Sequence, residues 1–243
     1  MKYRVKFGKY GVMKFVGHLD IMRYFQKAIR RADLPIKYSE GFNPHQIMSF
    51  AAPLGVGITS DGEYMDVEMR ESISSKVAVR KLEEAMVDGM HIFEFRALPD
   101  EAEKAMAAVK SASYYIYYRE SLQNLDEEDL VQRKNQFYDQ ATTISVMKKT
   151  KKSEREIDLK PLIFDFRWEM LPESLQEFSA YKNGFYLHVS TGSTDNIKPE
   201  FVMETFHQMY GMEAASFGIH RIDLYTNTEQ GCVSLGDVGY DYE

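Results

Sequence analysis

The sequence predicts an α+β protein made of two split-βαβ units in tandem, and three observations carry that expectation. Short stretches of strict apolar–polar alternation recur along the 243 residues. Stretches with apolar residues three or four apart separate them, the period of a helix with one buried face. The two kinds follow one another as β-α-β-β-α-β through the first half, and the order starts again in the second.

Residues 2–7 alternate, with Tyr3, Val5 and Phe7 on one face and Lys2, Arg4 and Lys6 on the other, so a strand with one buried face is expected. Residues 17–33 read as a helix. Leu19, Met22, Phe25, Ile29 and Ala32 form its apolar stripe, Arg23, Lys27, Arg30 and Arg31 lie off it, and Pro35 stops it. Residues 46–51 and 63–69 read as strands joined by a turn at Ser60-Asp61-Gly62. A helix over 74–87 carries Val77, Val79, Leu82 and Met86, and a strand over 91–98 ends at Pro99-Asp100.

The second half supplies strands over 112–119, 142–149, 162–169, 185–190 and 218–226, with helices over 126–137 and 199–210. It has one strand more than the first half, and a polar interruption at 148–156. No repeat at fixed spacing is visible, so the duplication rests on element order. The expectation is two tandem ferredoxin-like (split βαβ) domains, 1–100 and 111–230, joined through 101–110. The first and third strands of each are expected side by side at the sheet centre. The tail at 231–243 is acidic and glycine-bearing, and is expected to be loose.

Composition narrows the function classes. No apolar run is long enough to span a membrane, and the MKYRVKF start lacks the features of a secretory signal, so a cytoplasmic address is expected. The single cysteine, Cys232, forbids an internal disulfide and rules out a zinc knuckle or a three-cysteine iron–sulfur site within the chain. The net charge is −7, but residues 1–50 hold ten Lys/Arg against three Asp/Glu. A basic end on an acidic protein focuses a local field.

The candidate site is the stretch from Gly17 to Gly57. His18 and Asp20 open the basic helix, with Asp20 in the first turn, where a carboxylate meets the positive end of the dipole. His45 follows the turn Gly41-Phe42-Asn43-Pro44, which can fold back towards the helix start. His18, Asp20 and His45 are the candidates for catalysis. They stand as an acid–base pair, a loosely spaced metal set, a hydrogen-bonded structural cluster or a ligand-binding corner without chemistry. Arg23, Lys27, Arg30 and Arg31, with Phe42 and Asn43, are the candidate RNA-binding residues, because arginine reads phosphate through two parallel hydrogen bonds. The alternative for the bases is a solvated helix face.

Lys2, Arg4 and Lys6 suggest a nucleic-acid platform on the open sheet face, but Asp66 and Glu68 stand across from them as pairing partners. Pro53-Leu54-Gly55-Val56-Gly57 matches neither a phosphate loop nor a dinucleotide fingerprint. His91, His188, His207 and His220 are scattered singly and read as packing residues. Tyr114, Tyr115, Tyr117 and Tyr118 point to both faces of one strand, as core filling or as a stacking pair. Lys148–Lys152 reads as a solvated hairpin tip or a second backbone contact.

The pattern HLD..R....IRRADLP..YSEGFNPH....F..PLGVG, followed by EYMDVEM, resembles a radical-SAM-linked (radical-SAM-associated) family of uncharacterised bacterial proteins. The resemblance marks His18, Asp20, Arg23, Arg30, Arg31, Ser39, Gly41, Phe42, Asn43, Pro44, His45, Pro53, Gly55, Gly57, Glu63 and Asp66. It implies that the chain accompanies a B12-binding radical-SAM protein as an accessory. The favoured expectation is therefore a non-catalytic RNA-binding protein that presents tRNA or rRNA to that modification enzyme. No metal, cofactor, DNA or membrane is expected to take part. An RNA-cleaving or RNA-modifying enzyme using His18 and His45, and a protein-docking module for the radical-SAM partner, are the alternatives.

Overall fold

The computed structural model describes residues 1–122, 125–149, 154–192, 195–212 and 215–243. The protein is a mixed α+β molecule, and its chain divides into two compact units. Unit 1 comprises 1–110 and 221–243, and unit 2 comprises 111–220. The division differs from the contiguous one expected, because the chain re-enters unit 1 at Arg221.

Unit 1 contains β1 (Lys2–Lys9), α1 (His18–Arg31), β2 (Met48–Phe50), β3 (Thr59–Glu68), α2 (Ser75–Glu83), β4 (Met90–Ala97) and α3 (Ala105–Ala108). Strand order runs β4-β1-β3, all antiparallel, with β2 against β3. Tyr3, Val5 and Phe7 turn to the helices as their alternation requires, and are buried with Phe25 and Ile29 of α1 and Leu82 of α2. The Phe7 and Phe25 rings meet at 4.7 Å. Each such side chain removed from water contributes roughly 1.5–3 kcal/mol.

Unit 2 contains β5 (Ser111–Tyr118), α4 (Glu127–Lys134), the hairpin β6 (Ser145–Lys149) and β7 (Glu154–Asp158), β8 (Ile163–Met170), α5 (Glu173–Gln176), β9 (Asn183–Ser190) and α6 (Pro199–Met209). β10 (Phe217–Thr228) begins in unit 2 and ends in unit 1, where β11 (Gly231–Ser234) pairs with it. In unit 2 the order is β10-β5-β9-β8, and β6–β7 forms a separate two-stranded sheet. That hairpin is the surplus strand of the sequence reading. The lysine run falls partly outside the described residues. The core is aromatic: Phe166 stacks on Phe185 at 4.9 Å, and Phe206 of α6 meets Phe185 at 5.5 Å and Phe137 at 5.3 Å.

Four expectations are corrected in unit 1. The α1 stripe is Ile21, Phe25, Ala28, Ile29 and Ala32, while Leu19 is exposed, since it sits about one residue round from that face. Residues 60–62 are not a turn but the start of β3. Gly62 is there because the Asp223 backbone lies against it: a Cβ would stand 2.5 Å from the Asp223 Cα. The tail is not loose. Leu235 is fully buried, Tyr240 bridges Ala97, and Ser75 N–H donates to the Tyr242 carbonyl at 2.7 Å. Finally, the sheet face expected to be open is closed around Arg4. Its guanidinium holds Asp66 at 2.8 and 3.1 Å and donates to the carbonyls of Leu235 and Glu103. Lys6 pairs with Asp223 at 3.0 Å, and Glu68 pairs instead with Lys37, which holds its carboxyl below the usual range.

Candidate functional site

The basic helix α1 starts at Gly17, whose carbonyl accepts from Asp20 and Ile21 N–H. It ends without needing Pro35. Asp33 takes a left-handed φ of 48°, Asp33 N–H returns to Arg30 O, and Leu34 N–H returns to Ile29 O. Together these close a Schellman turn, and aspartate tolerates its left-handed position better than most residues. Arg30 and Arg31 fall in the last turn, where the dipole favours cations.

Arg23, Lys27, Arg30 and Arg31 are all exposed. Arg23 pairs with Asp20 at 3.0 Å, one turn along the helix. Arg30 donates to the Gln26 carbonyl and Arg31 to the Ala85 carbonyl. Among the described residues, Asp20 is therefore the one carboxylate that neutralises this face.

The segment after α1 forms a narrow loop. Tyr38 bridges Gln46, Ser39 N–H donates to the His45 carbonyl at 2.8 Å, and His45 N–H donates to Ser39 Oγ at 3.1 Å. The His45 ring bonds the same Oγ through Nδ1 at 2.9 Å. Gly41, with φ at 108°, allows the tip to reverse, and Phe42 stands at that tip fully exposed. Asn43 is exposed beside it, its carbonyl 3.5 Å from His45 Nδ1. The loop is anchored to α1 by buried Gln46, whose Nε2 donates to the Gln26 carbonyl. His18 does something separate: its ring packs edge-on against Phe50 at 5.2 Å. The structure thus groups Ser39, Asn43 and His45, and separately Asp20 with Arg23. No hydrogen bond joins His18 to His45. Among the described residues no group of three or more His, Cys, Asp or Glu is placed to hold a metal ion, and no helix is long and apolar enough to cross a membrane.

Beneath this surface lies a charged floor. Arg221 holds Glu63 at 2.9 Å, and its guanidinium reaches the Ala52 carbonyl at the start of the PLGVG loop. Ser60 Oγ donates to Glu63, and Lys9 Nζ donates to the Val16 carbonyl, immediately before α1. Burial pushes the Glu63 carboxyl up, against the pull of Arg221 and Ser60, and pushes the Lys9 ammonium down. The Gly57 N–H closes onto the Lys14 carbonyl at 2.8 Å. Glu63 and Asp66 therefore act from inside: Glu63 through Arg221 on the PLGVG loop, Asp66 through Arg4 and the Ala105 N–H at 2.7 Å. Sequence reasoning missed Lys9 and Arg221 as partners of this floor. Arg221 lies 158 residues from Glu63, and no local pattern links them.

The segment that builds this surface also carries the identification. No match was found among curated proteins. Residues 2–199, which include α1, its following loop and Glu63 of the charged floor, match the bacterial family described as "Uncharacterized protein conserved in bacteria (DUF2344)", and the chain belongs to that family.

Proposed function

We propose that this protein is an RNA-binding accessory protein, and that α1 carries the contact. One observation supports it above the others: four exposed cations lie along α1 with a single carboxylate among them. Such a face neutralises phosphates along a backbone, and the exposed Phe42 offers a ring to an unpaired base beside it. The presentation of tRNA or rRNA to a radical-SAM enzyme belongs to the same proposal and rests on the sequence resemblance alone. The strand orders β4-β1-β3 with β2 outside β3, and β10-β5-β9-β8, support reading both units as ferredoxin-like.

Fluorescence anisotropy with labelled single-stranded RNA across a salt series tests the contact. Four phosphate contacts give a log–log salt slope of about −3 on single strands. Arg23→Glu with Arg30→Glu flattens the slope and weakens binding. Lys76→Glu with Arg80→Glu, an equal charge change on exposed positions of α2, leaves it. Unchanged affinity in the α1 variant rejects the proposal. A protein-docking role gains in that case, because Val12, Phe15, Leu19 and Val56 are also exposed.

A further inference from the structure

The unit 2 sheet has two unlike faces. Its core face carries Ile116, Phe185 and Trp168 in one row and Tyr114, Leu187 and Phe166 in the next. The register puts Tyr115 opposite Tyr186, and Tyr186 opposite Arg167. Directly opposed residues share a face, so three flat groups run in one row across β5, β9 and β8 on the side away from the phenylalanine core.

The row is geometrically fixed. The Tyr115 and Tyr186 rings lie 6.0 Å apart, edge to face at 69°, and the Arg167 guanidinium sits 4.4 Å over the Tyr186 ring. Asp165 and Glu169 hold that guanidinium at 2.9 and 3.1 Å, which sets its plane. The Tyr115 hydroxyl donates to Glu169 at 3.3 Å. In the next row His188 stands opposite Ser113 and Asp165, with the exposed Phe164 ring 5.4 Å from its own. Tyr115 and Tyr186 are partly exposed, and half of the Arg167 side chain is open to solvent.

We propose that this face is a stacking platform for unpaired bases of single-stranded RNA, a second contact that rests on the RNA reading above. Every base has a π-face, and tyrosine rings and guanidinium planes both stack on it. One arginine between two carboxylates does not attract phosphate, so the platform takes the base and not the backbone. Asp165 and Glu169 flank the Arg167 guanidinium beside the Tyr186 ring. They are acceptors, which complements an amino-bearing base such as cytosine, whose N4 donates to Asp or Glu.

The test uses fluorescein-labelled oligo(rC), the same oligomer lacking bases, and free cytidine. Tyr115→Leu with Tyr186→Leu weakens oligo(rC) binding by about tenfold for each ring removed, and leaves the salt slope as it was, since no phosphate contact is lost. Arg167→Gln, at an exposed position, weakens binding in the same sense. The abasic oligomer binds the wild type less tightly than oligo(rC), and binds the double variant and the wild type alike. Cytidine, which carries no phosphate, gives saturation-transfer NMR signals on the wild type that vanish in the double variant. Equal oligo(rC) affinity in both proteins, with cytidine signals unchanged, overturns the platform while leaving the α1 contact standing. Cytidine signals of the expected kind without oligomer binding at any salt keep the platform as a base site and sink the RNA reading.

Discussion

The two units treat the same part of a sheet in opposite ways. In unit 1, the face opposite α1 and α2 is filled by the chain itself. Arg4 is buried there against Asp66, and its remaining donors go to the carbonyls of Leu235 and Glu103. Tyr64 donates to Asp223 at 2.6 Å on the same face, and burial beside that carboxylate pushes its hydroxyl far above the usual range. In unit 2, the corresponding face keeps Tyr115, Tyr186 and Arg167 partly in solvent. A charged face that is closed needs every donor and acceptor met, and then contributes structure. Side chains left partly open have no such constraint, and their exposed groups can meet a ligand. Function is therefore sought on α1 and on the unit 2 face, and stability in the closed face of unit 1.

That contrast is open to direct attack, beginning with the largest effect. Arg4→Ala leaves Asp66 without its ion-pair partner in the interior and costs about 3–5 kcal/mol, measured by urea unfolding. A loss under about 1 kcal/mol would mean that water already reaches this face, as at a surface pair. Leu235→Ala removes the fully buried apolar anchor of the C-terminal segment and costs about 2–4 kcal/mol in the same assay.

A smaller effect appears as a pH dependence in unit 2. Burial pushes the His188 imidazole below its ordinary value of 6.5, against the pull of Asp165. The unfolded chain then binds the proton more readily than the folded one. The contribution of neutral His188 is fully present above the unfolded value and is lost as pH falls through the lower folded one. Thermal melts from pH 7 downward show a fall in stability that His188→Gln reduces. An unchanged pH profile in that variant would show that the ring titrates as it does in solvent. The smallest effect belongs to the stacking row itself: Arg167→Gln changes folding stability by less than about 1 kcal/mol, because its carboxylate pairs are solvent-screened. A cost as large as that of Arg4→Ala would make the unit 2 face a closed one and erase the comparison.

Periodicity made much of this legible. The buried side of β1 followed from its alternation, because a strand with one wet face must place its apolar residues on the other. The basic face of α1 followed from the same argument at helical period, although Leu19 was assigned to the wrong side of the stripe. The loop at Gly41–His45 was marked by its composition, and Ser39 and His45 do close it. The joining of His18 to that loop was an inference from closeness in sequence. In the structure the His18 ring packs against Phe50, a contact that only tertiary packing could bring about.

The sequence by itself determined most of the longer elements, their order and the placing of four cations outside the α1 core, all of which depend on residues within a few turns of one another. Tertiary structure decided what needs partners far apart in the chain. Arg221 meets Glu63 across 158 residues, Leu235 closes over Arg4 across 231, and Tyr115, Tyr186 and Arg167 line up through strand register. A local pattern fixes which face of an element is apolar, but it carries no information about which distant segment will cover the polar face or leave it open. That choice follows from the summed burial and pairing of the whole chain.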